Sequence, residues 1–183
     1  MVSKLKIYHN DMSSCSQKVR LVLEEKKLLW TGIHMDLRKG ETRTPEYMKN
    51  LNKNGVVPTL IDGDDIIIES TIIQEYLEDE FPITPLRPRN SNDIARMRLL
   101  NKNIDDSLHS AIAIISSCIA FRHQFIKSYN KAQINKLVEM IPDEKRREIS
   151  KDTIFNGLES TYLPDALSKY LNLFDDFDTY LSY

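Results

Sequence analysis

The sequence predicts a small α/β domain followed by an all-α helical-bundle domain, and three observations predict it. Short strand-like and helix-like stretches alternate through residues 1–81, the prolines Pro82, Pro85 and Pro88 then punctuate the chain, and only helical spacing follows. With 183 residues and 41% hydrophobic content, the chain can bury a substantial core.

The first strand is expected over residues 4–9, with Leu5, Ile7 and His9 on one side. A helix over 16–27 follows from Val19, Val22 and Leu23 at i, i+3 and i+4, with Glu24, Glu25 and Lys26 largely off that stripe. Residues 30–36 read as the second strand. Thr44-Pro45 reads as a helix start, with the hydroxyl at the N-cap and proline where its missing N–H costs nothing, and this helix ends near Leu51. Val57-Pro58-Thr59-Leu60-Ile61, the turn Asp62-Gly63-Asp64 and Ile66-Ile67-Ile68 read as a hairpin. Ser70 is expected to cap a helix that buries Ile73, Tyr76 and Leu77 and stops at Phe81, because Pro82 cannot continue it.

The resulting order, strand, helix, strand, helix, strand, strand, helix, is thioredoxin-like, with a parallel crossover first and an antiparallel hairpin later. The expected division is therefore an α/β thioredoxin-like domain over 1–81, a linker over 82–90 and an all-helical domain over 91–183. In the last of these, Ile94, Met97, Ile104, Leu108, Ala111, Ile112 and Ile115 imply a long helix, broken or bent, over 91–129. Further helices are expected in 134–140, within 143–158 and over 164–181. The last has Leu167, Tyr170, Leu171, Phe174, Phe177 and Leu181 as its inner face and Asp175, Asp176 and Asp178 as its solvated one.

Composition narrows the function. With 25 basic against 27 acidic residues the net charge is −2, so no global field points to nucleic acid or an anionic membrane surface. The uninterrupted apolar runs fall short of a membrane span and no signal peptide is visible, so the expected location is cytoplasmic. Cys15 and Cys118 form neither a C-x-x-C pair nor a disulfide framework, and His9, His34, His109 and His123 lack ligand spacing, so no metal is expected.

Three short motifs bear on chemistry. Ser13-Ser14-Cys15-Ser16 stands where the first strand meets the first helix, and a helix N-terminus there favours an anion such as a thiolate; alone, the serines read more simply as caps. Val57-Pro58 enters a strand from a turn, where a cis bond would let the Val57 backbone pair with an extended peptide; alone, it reads more readily as a trans proline opening an edge strand. Glu69-Ser70 opens a helix, so Ser70 suits a carboxylate and Glu69 an ammonium, the two ends of an amino-acid head group, although the pair also reads as a simple helix start.

Taken together in this order, the motifs resemble the glutathione transferase family, and the resemblance extends through Cys15-Ser16-Gln17-Lys18-Val19-Arg20 and Glu69-Ser70-Thr71-Ile72-Ile73-Gln74-Glu75-Tyr76-Leu77. The serine run is most similar to the serine-type group that includes zeta transferases and bacterial β-etherases. The resemblance implies the two-domain transferase fold, glutathione as co-substrate and a homodimer. It implies that Ser13 donates a hydrogen bond to the glutathione sulfur, with Ser14 and Cys15 beside it, that Val57 pairs with the cysteine backbone of glutathione, and that Glu69 and Ser70 hold its γ-glutamyl end. The implied reaction is attack of the glutathione thiolate on a small hydrophobic electrophile.

Some positions depart from the family. Val56 stands where many relatives place a lysine or glutamine near the glycine end of glutathione, leaving Arg43 as a substitute, and Cys15 lies two residues beyond the position of the thiol-transfer cysteine. The expected further helices after Tyr183 are missing, so the helical domain is read as shortened. Two other readings therefore stand: a glutathione-binding protein without transferase activity, and a glutathione-dependent oxidoreductase centred on Cys15. The electrophile site is unassigned, with His109, Ser116, Cys118 and Arg122 of the long helix as its nearest candidates.

Overall fold

The computed structural model describes residues 4–181, apart from the side chains of residues 176 and 178–181. The chain divides into two compact units, residues 1–101 and 102–183. The first is built on a four-stranded sheet of order β2-β1-β3-β4, from β1 (Leu5–His9), β2 (Trp30–His34), β3 (Thr59–Asp62) and β4 (Asp65–Ile68). β1 pairs parallel with β2 and antiparallel with β3, and β3 forms the hairpin with β4.

Alternation along β1 sets the two faces. Leu5 and Ile7 point to one side and join Leu60 with Val19 and Leu23 of α1 (Ser14–Glu25) and Ile73 and Leu77 of α3 (Ser70–Glu80), a wholly buried apolar layer. Tyr8 points to the other side, where Met35, Val57 and Tyr47 of α2 (Pro45–Asn50) make a second core. Thr44 caps α2 by accepting the Tyr47 N–H at 3.2 Å, with Pro45 at the first helical position, as its sequence requires. A short 3-10 turn, Glu41–Arg43, precedes it and was not expected from the sequence.

Helix α1 starts at Ser14, two residues earlier than periodicity indicates, because the hydroxyl of Ser13 supplies the cap. It ends in a Schellman motif: Lys27 has φ 56°, its N–H donates to Glu24 O, and Leu28 N–H donates to Leu23 O while the Leu28 side chain joins the same core as Leu23. Helix α3 corrects one reading. Ser70 is its first helical residue and Glu69, at φ 69°, occupies the cap position. The chain leaving β4 must turn sharply into the helix, and that turn falls on Glu69.

Helices α4 (Ser91–Asn103), α5 (His109–Ser116) and α6 (Arg122–Ser128) follow one another through two π-helical segments, Ile104–Leu108 and Ser117–Phe121. By length and composition alone, Ser91–Ser128 is apolar enough to cross a membrane, with mean hydropathy 1.3 over 18 residues, which a search for uninterrupted apolar runs overlooks. Only 11% of that window is buried, and α5 packs against α9 (Leu163–Leu181) within the second unit.

In that unit, α7 (Lys131–Glu139), opened by an Asn130–Gln133 capping box, and α8 (Glu144–Asn156), capped by Asp143, enclose Ile134, Val138, Ile141 and Ile154. Helix α9 departs from expectation. Among its described side chains Leu163, Ala166 and Leu173 are buried, whereas Leu167, Leu171 and Phe174 are exposed. The helix carries two apolar stripes, and periodicity cannot say which of them meets a partner. The expected placements of Asp176, Asp178 and Leu181 lie outside the described side chains.

Candidate functional site

The chain turns from β1 into α1 through residues 10–13. Asn10 Oδ1 accepts the Met12 N–H at 2.9 Å, an Asx turn that ends the strand. Ser13 then takes an extended conformation, φ −85° and ψ 114°, and its Oγ accepts the Ser16 N–H at 3.2 Å. With that lone pair engaged, the hydroxyl proton is left to donate to an acceptor before the helix end, and accepting one hydrogen bond polarises the hydroxyl toward donating another. Ser14 and Cys15 are the first two residues of α1, at the positive end of its dipole. Cys15 is half-buried and in no disulfide.

The Val57-Pro58 bond is cis. Ladder pairing of β3 begins at Thr59, opposite Tyr8, so the sheet does not consume the Val57 backbone. The segment before it is held from beneath. The Tyr47 hydroxyl donates to Val56 O at 2.9 Å and lies 3.0 Å from Thr59 Oγ1, Asn52 Nδ2 donates to Val56 O at 3.2 Å, and Thr42 Oγ1 donates to Gly55 O at 2.9 Å. Burial pushes the Tyr47 phenol up, which keeps it a neutral donor. Arg43 lies against this segment, its Cγ 3.5 Å from where a Cβ on Gly55 would stand.

Glu69 is held at a left-handed φ, a conformation that costs a non-glycine residue of order 1–3 kcal/mol. Asn54 Nδ2 donates to Glu69 Oε1 at 3.1 Å, tying the loop before Val57 to the start of α3. Lys18 Nζ donates to Thr71 Oγ1 at 2.7 Å and Gln74 Nε2 to Lys18 O at 3.3 Å, tying the first turns of α1 and α3 together. The structure thus brings the segments bearing Ser13, Ser14 and Cys15, Arg43 and Val57, and Glu69 and Ser70 into one connected frame.

Sequence reasoning missed what lies behind this frame. His9 and His34 end the parallel strands β1 and β2 in register, with ring centroids 5.7 Å apart, and the His9 ring leaves no room for a side chain at Gly32, whose Cβ would stand 2.7 Å from Nε2. Asp11 faces both rings, 3.6 Å from His9 Nδ1 and 3.9 Å from His34 Nε2, and accepts from Arg20 Nη1 at 2.9 Å. Burial, then the Arg20 charge, holds His9 below its ordinary value against the opposing pull of Asp11. The matched positions of the two histidines at their strand ends were the available signal, but it needs the strand register to be seen.

The long-helix candidates for the electrophile have partners within the second unit. His109 Nε2 lies 3.0 Å from Asp105 Oδ1, Cys118 is buried and Arg122 Nε donates to Ile154 O at 3.1 Å, while Ser116 is half-buried and it is its neighbour Ser117, which the sequence did not single out, that lies 2.9 Å from the Thr153 hydroxyl. Burial pushes the Cys118 thiol up, toward an unreactive form.

The unit is a thioredoxin-like sheet with a serine-capped first helix, a cis proline before β3 and an acidic residue at the start of α3, and residues 7–88 match the glutathione S-transferase N-terminal domain family. Through residues 7–88 the chain carries a glutathione S-transferase N-terminal domain. It is 37% identical over 153 residues to a zeta-class glutathione S-transferase of Euphorbia esula, covering 81% of this chain and 60% of that one. It is 38% identical over 109 residues to the maleylacetoacetate isomerase of Dictyostelium discoideum, covering 58% of this chain and 49% of that one. The β-etherase LigF of Sphingobium sp. strain SYK-6 superposes with a TM-score of 0.81 at 25% identity, over 91% of this chain and 69% of that one. The chain spans about three-fifths of the length of the zeta-class relative.

Proposed function

We propose that the protein is a serine-type glutathione transferase in which Ser13 activates the glutathione sulfur for attack on a small hydrophobic electrophile. One observation carries the reading: the Ser13 hydroxyl is oriented by the Ser16 N–H at the N-terminus of α1, within a glutathione transferase N-terminal domain. A free thiol ionises near ~8.5, so only a few per cent is thiolate at neutral pH, and a single donated hydrogen bond beside a helix N-terminus suffices to raise that fraction. Val57 pairs with the cysteine backbone of glutathione, Glu69 and Ser70 receive its γ-glutamyl end, and Arg43 faces its glycine carboxylate. The sulfur lone pair forms the new bond to carbon, the thiol proton having left to solvent; in conjugation the attacked π pair moves onto the electrophile and takes a proton from solvent, in ether cleavage the C–O bond breaks and its oxygen leaves with a proton from solvent, and in isomerisation the adduct rotates and expels the thiolate again. The protein works as a cytoplasmic homodimer.

The test is calorimetric titration with glutathione, followed by turnover of a panel of electrophiles by the wild type and by Ser13→Ala and Cys15→Ala. Binding, turnover and a fall of roughly tenfold or more in kcat for Ser13→Ala are expected. Binding with no product from any electrophile would favour a glutathione carrier. Loss of thiol exchange in Cys15→Ala, with Ser13→Ala intact, would favour an oxidoreductase.

A further inference from the structure

We infer that Asn10 is a positioning residue that sets where the Ser13 hydroxyl stands, an inference that rests on the reading of Ser13 as activator. Asn10 is 8% exposed and follows β1, and each of its polar groups is engaged. Its N–H donates to Ser16 Oγ at 3.4 Å, its carbonyl accepts the Ser13 N–H at 3.2 Å, and its Oδ1 accepts the Met12 N–H at 2.9 Å. Its Nδ2 donates to Met35 O at 2.9 Å and to His34 Nε2 at 3.3 Å.

Three of these residues form a closed ring. Asn10 donates through its backbone N–H to the Ser16 hydroxyl, Ser16 through its N–H to the Ser13 hydroxyl, and Ser13 through its N–H to the Asn10 carbonyl, so the Asn10 side chain does not close the ring but fixes where the Asn10 backbone stands. Ser13 is therefore held at its N–H by the Asn10 carbonyl and at its Oγ by the Ser16 N–H, and the ring is anchored through the Asn10 side chain to the end of β2. The amide cannot be turned over: its oxygen must face the Met12 N–H and its nitrogen the Met35 carbonyl, which obliges His34 Nε2 to accept. Ser16, wholly buried, closes the ring from the helix side. A hydrogen bond to sulfur that stabilises the thiolate depends on where its donor stands, and displacement of a reacting or stabilising group by about 1 Å can cost on the order of a hundredfold.

The test reads the thiolate absorbance of enzyme-bound glutathione against pH, with glutathione affinity measured by calorimetry at a pH where the thiol is protonated. In the full chain, Asn10→Ala is expected to raise the midpoint so that about tenfold less thiolate is present at neutral pH, while affinity in acid changes little because Val57, Glu69 and Ser70 remain. In a Ser13→Ala background, Asn10→Ala is expected to add nothing. An unchanged midpoint in Asn10→Ala, or effects of the two substitutions that multiply, would overturn the inference. If Asn10→Ala does not fold, Asn10→Asp keeps the acceptor for Met12 and loses the donor to Met35, and an unchanged midpoint in it overturns the inference equally. A normal midpoint in Ser13→Ala alone would instead remove the activator reading.

Discussion

Lys26 Nζ donates to Glu78 Oε1 at 2.6 Å with the lysine side chain wholly excluded from solvent. Its second bond goes to Thr84 O at 2.8 Å, while Glu78 also accepts from the backbone N–H groups of Leu86 and Arg87. The C-terminus of α1, the last turn of α3 and the proline-rich segment are thus fastened at one point.

Removing one partner of this pair leaves the other charge buried and unpaired. Lys26→Met or Glu78→Gln is expected to cost about 3–5 kcal/mol in urea unfolding. An apolar double replacement of similar volume is expected to recover most of that loss, because desolvation then falls on neither charge.

The same carboxylate makes stability sensitive to acid. Burial pushes Glu78 up, but the Lys26 hydrogen bond, the Leu86 and Arg87 N–H groups and the Lys26 charge together outweigh it and hold the carboxyl below its ordinary value of 4.5. A carboxyl depressed in the folded state contributes stability that is present above 4.5 and lost as pH falls through the folded value. Unfolding free energy measured from pH 6 to 3 should fall less steeply below 4.5 for Glu78→Gln than for the wild type.

Lys27 closes the Schellman motif of α1 in the left-handed region, where a β-carbon is a burden. Lys27→Gly should raise stability by about 1 kcal/mol, read as a higher midpoint in urea with an unchanged slope.

Tyr47 holds the segment before Val57 through a hydroxyl bonded to Val56 O and Thr59 Oγ1. Tyr47→Phe should cost about 1–2 kcal/mol of stability, since the Val56 carbonyl keeps only the Asn52 amide. Glutathione affinity should fall with it, measured by calorimetry at one temperature.

Much of this was legible in the sequence because local rules decide it. The Thr44-Pro45 start of α2, the hairpin turn at Gly63 and the stop of α3 before Pro82 are each fixed by a backbone dihedral or a missing donor, which no tertiary contact needs to supply. Ser13, Val57 and Glu69 could be picked out only because their motifs, in order, resemble those of a known family; each motif alone reads as a cap, an edge-strand proline or a helix start. The sequence could not say that Asn10 and Ser16 would close a ring with Ser13, that His9 would lie over Gly32, or that Lys26, largely off the apolar stripe of α1, would be buried against Glu78. Each of these depends on which strand neighbours β1, how α1 is rotated upon it, and where the chain returns after Pro82. The same holds for α9, whose two apolar stripes are equal in sequence and were separated only by packing. Periodicity fixes that a face is apolar; only the three-dimensional arrangement of neighbours decides which face is covered and which polar groups must find one another there.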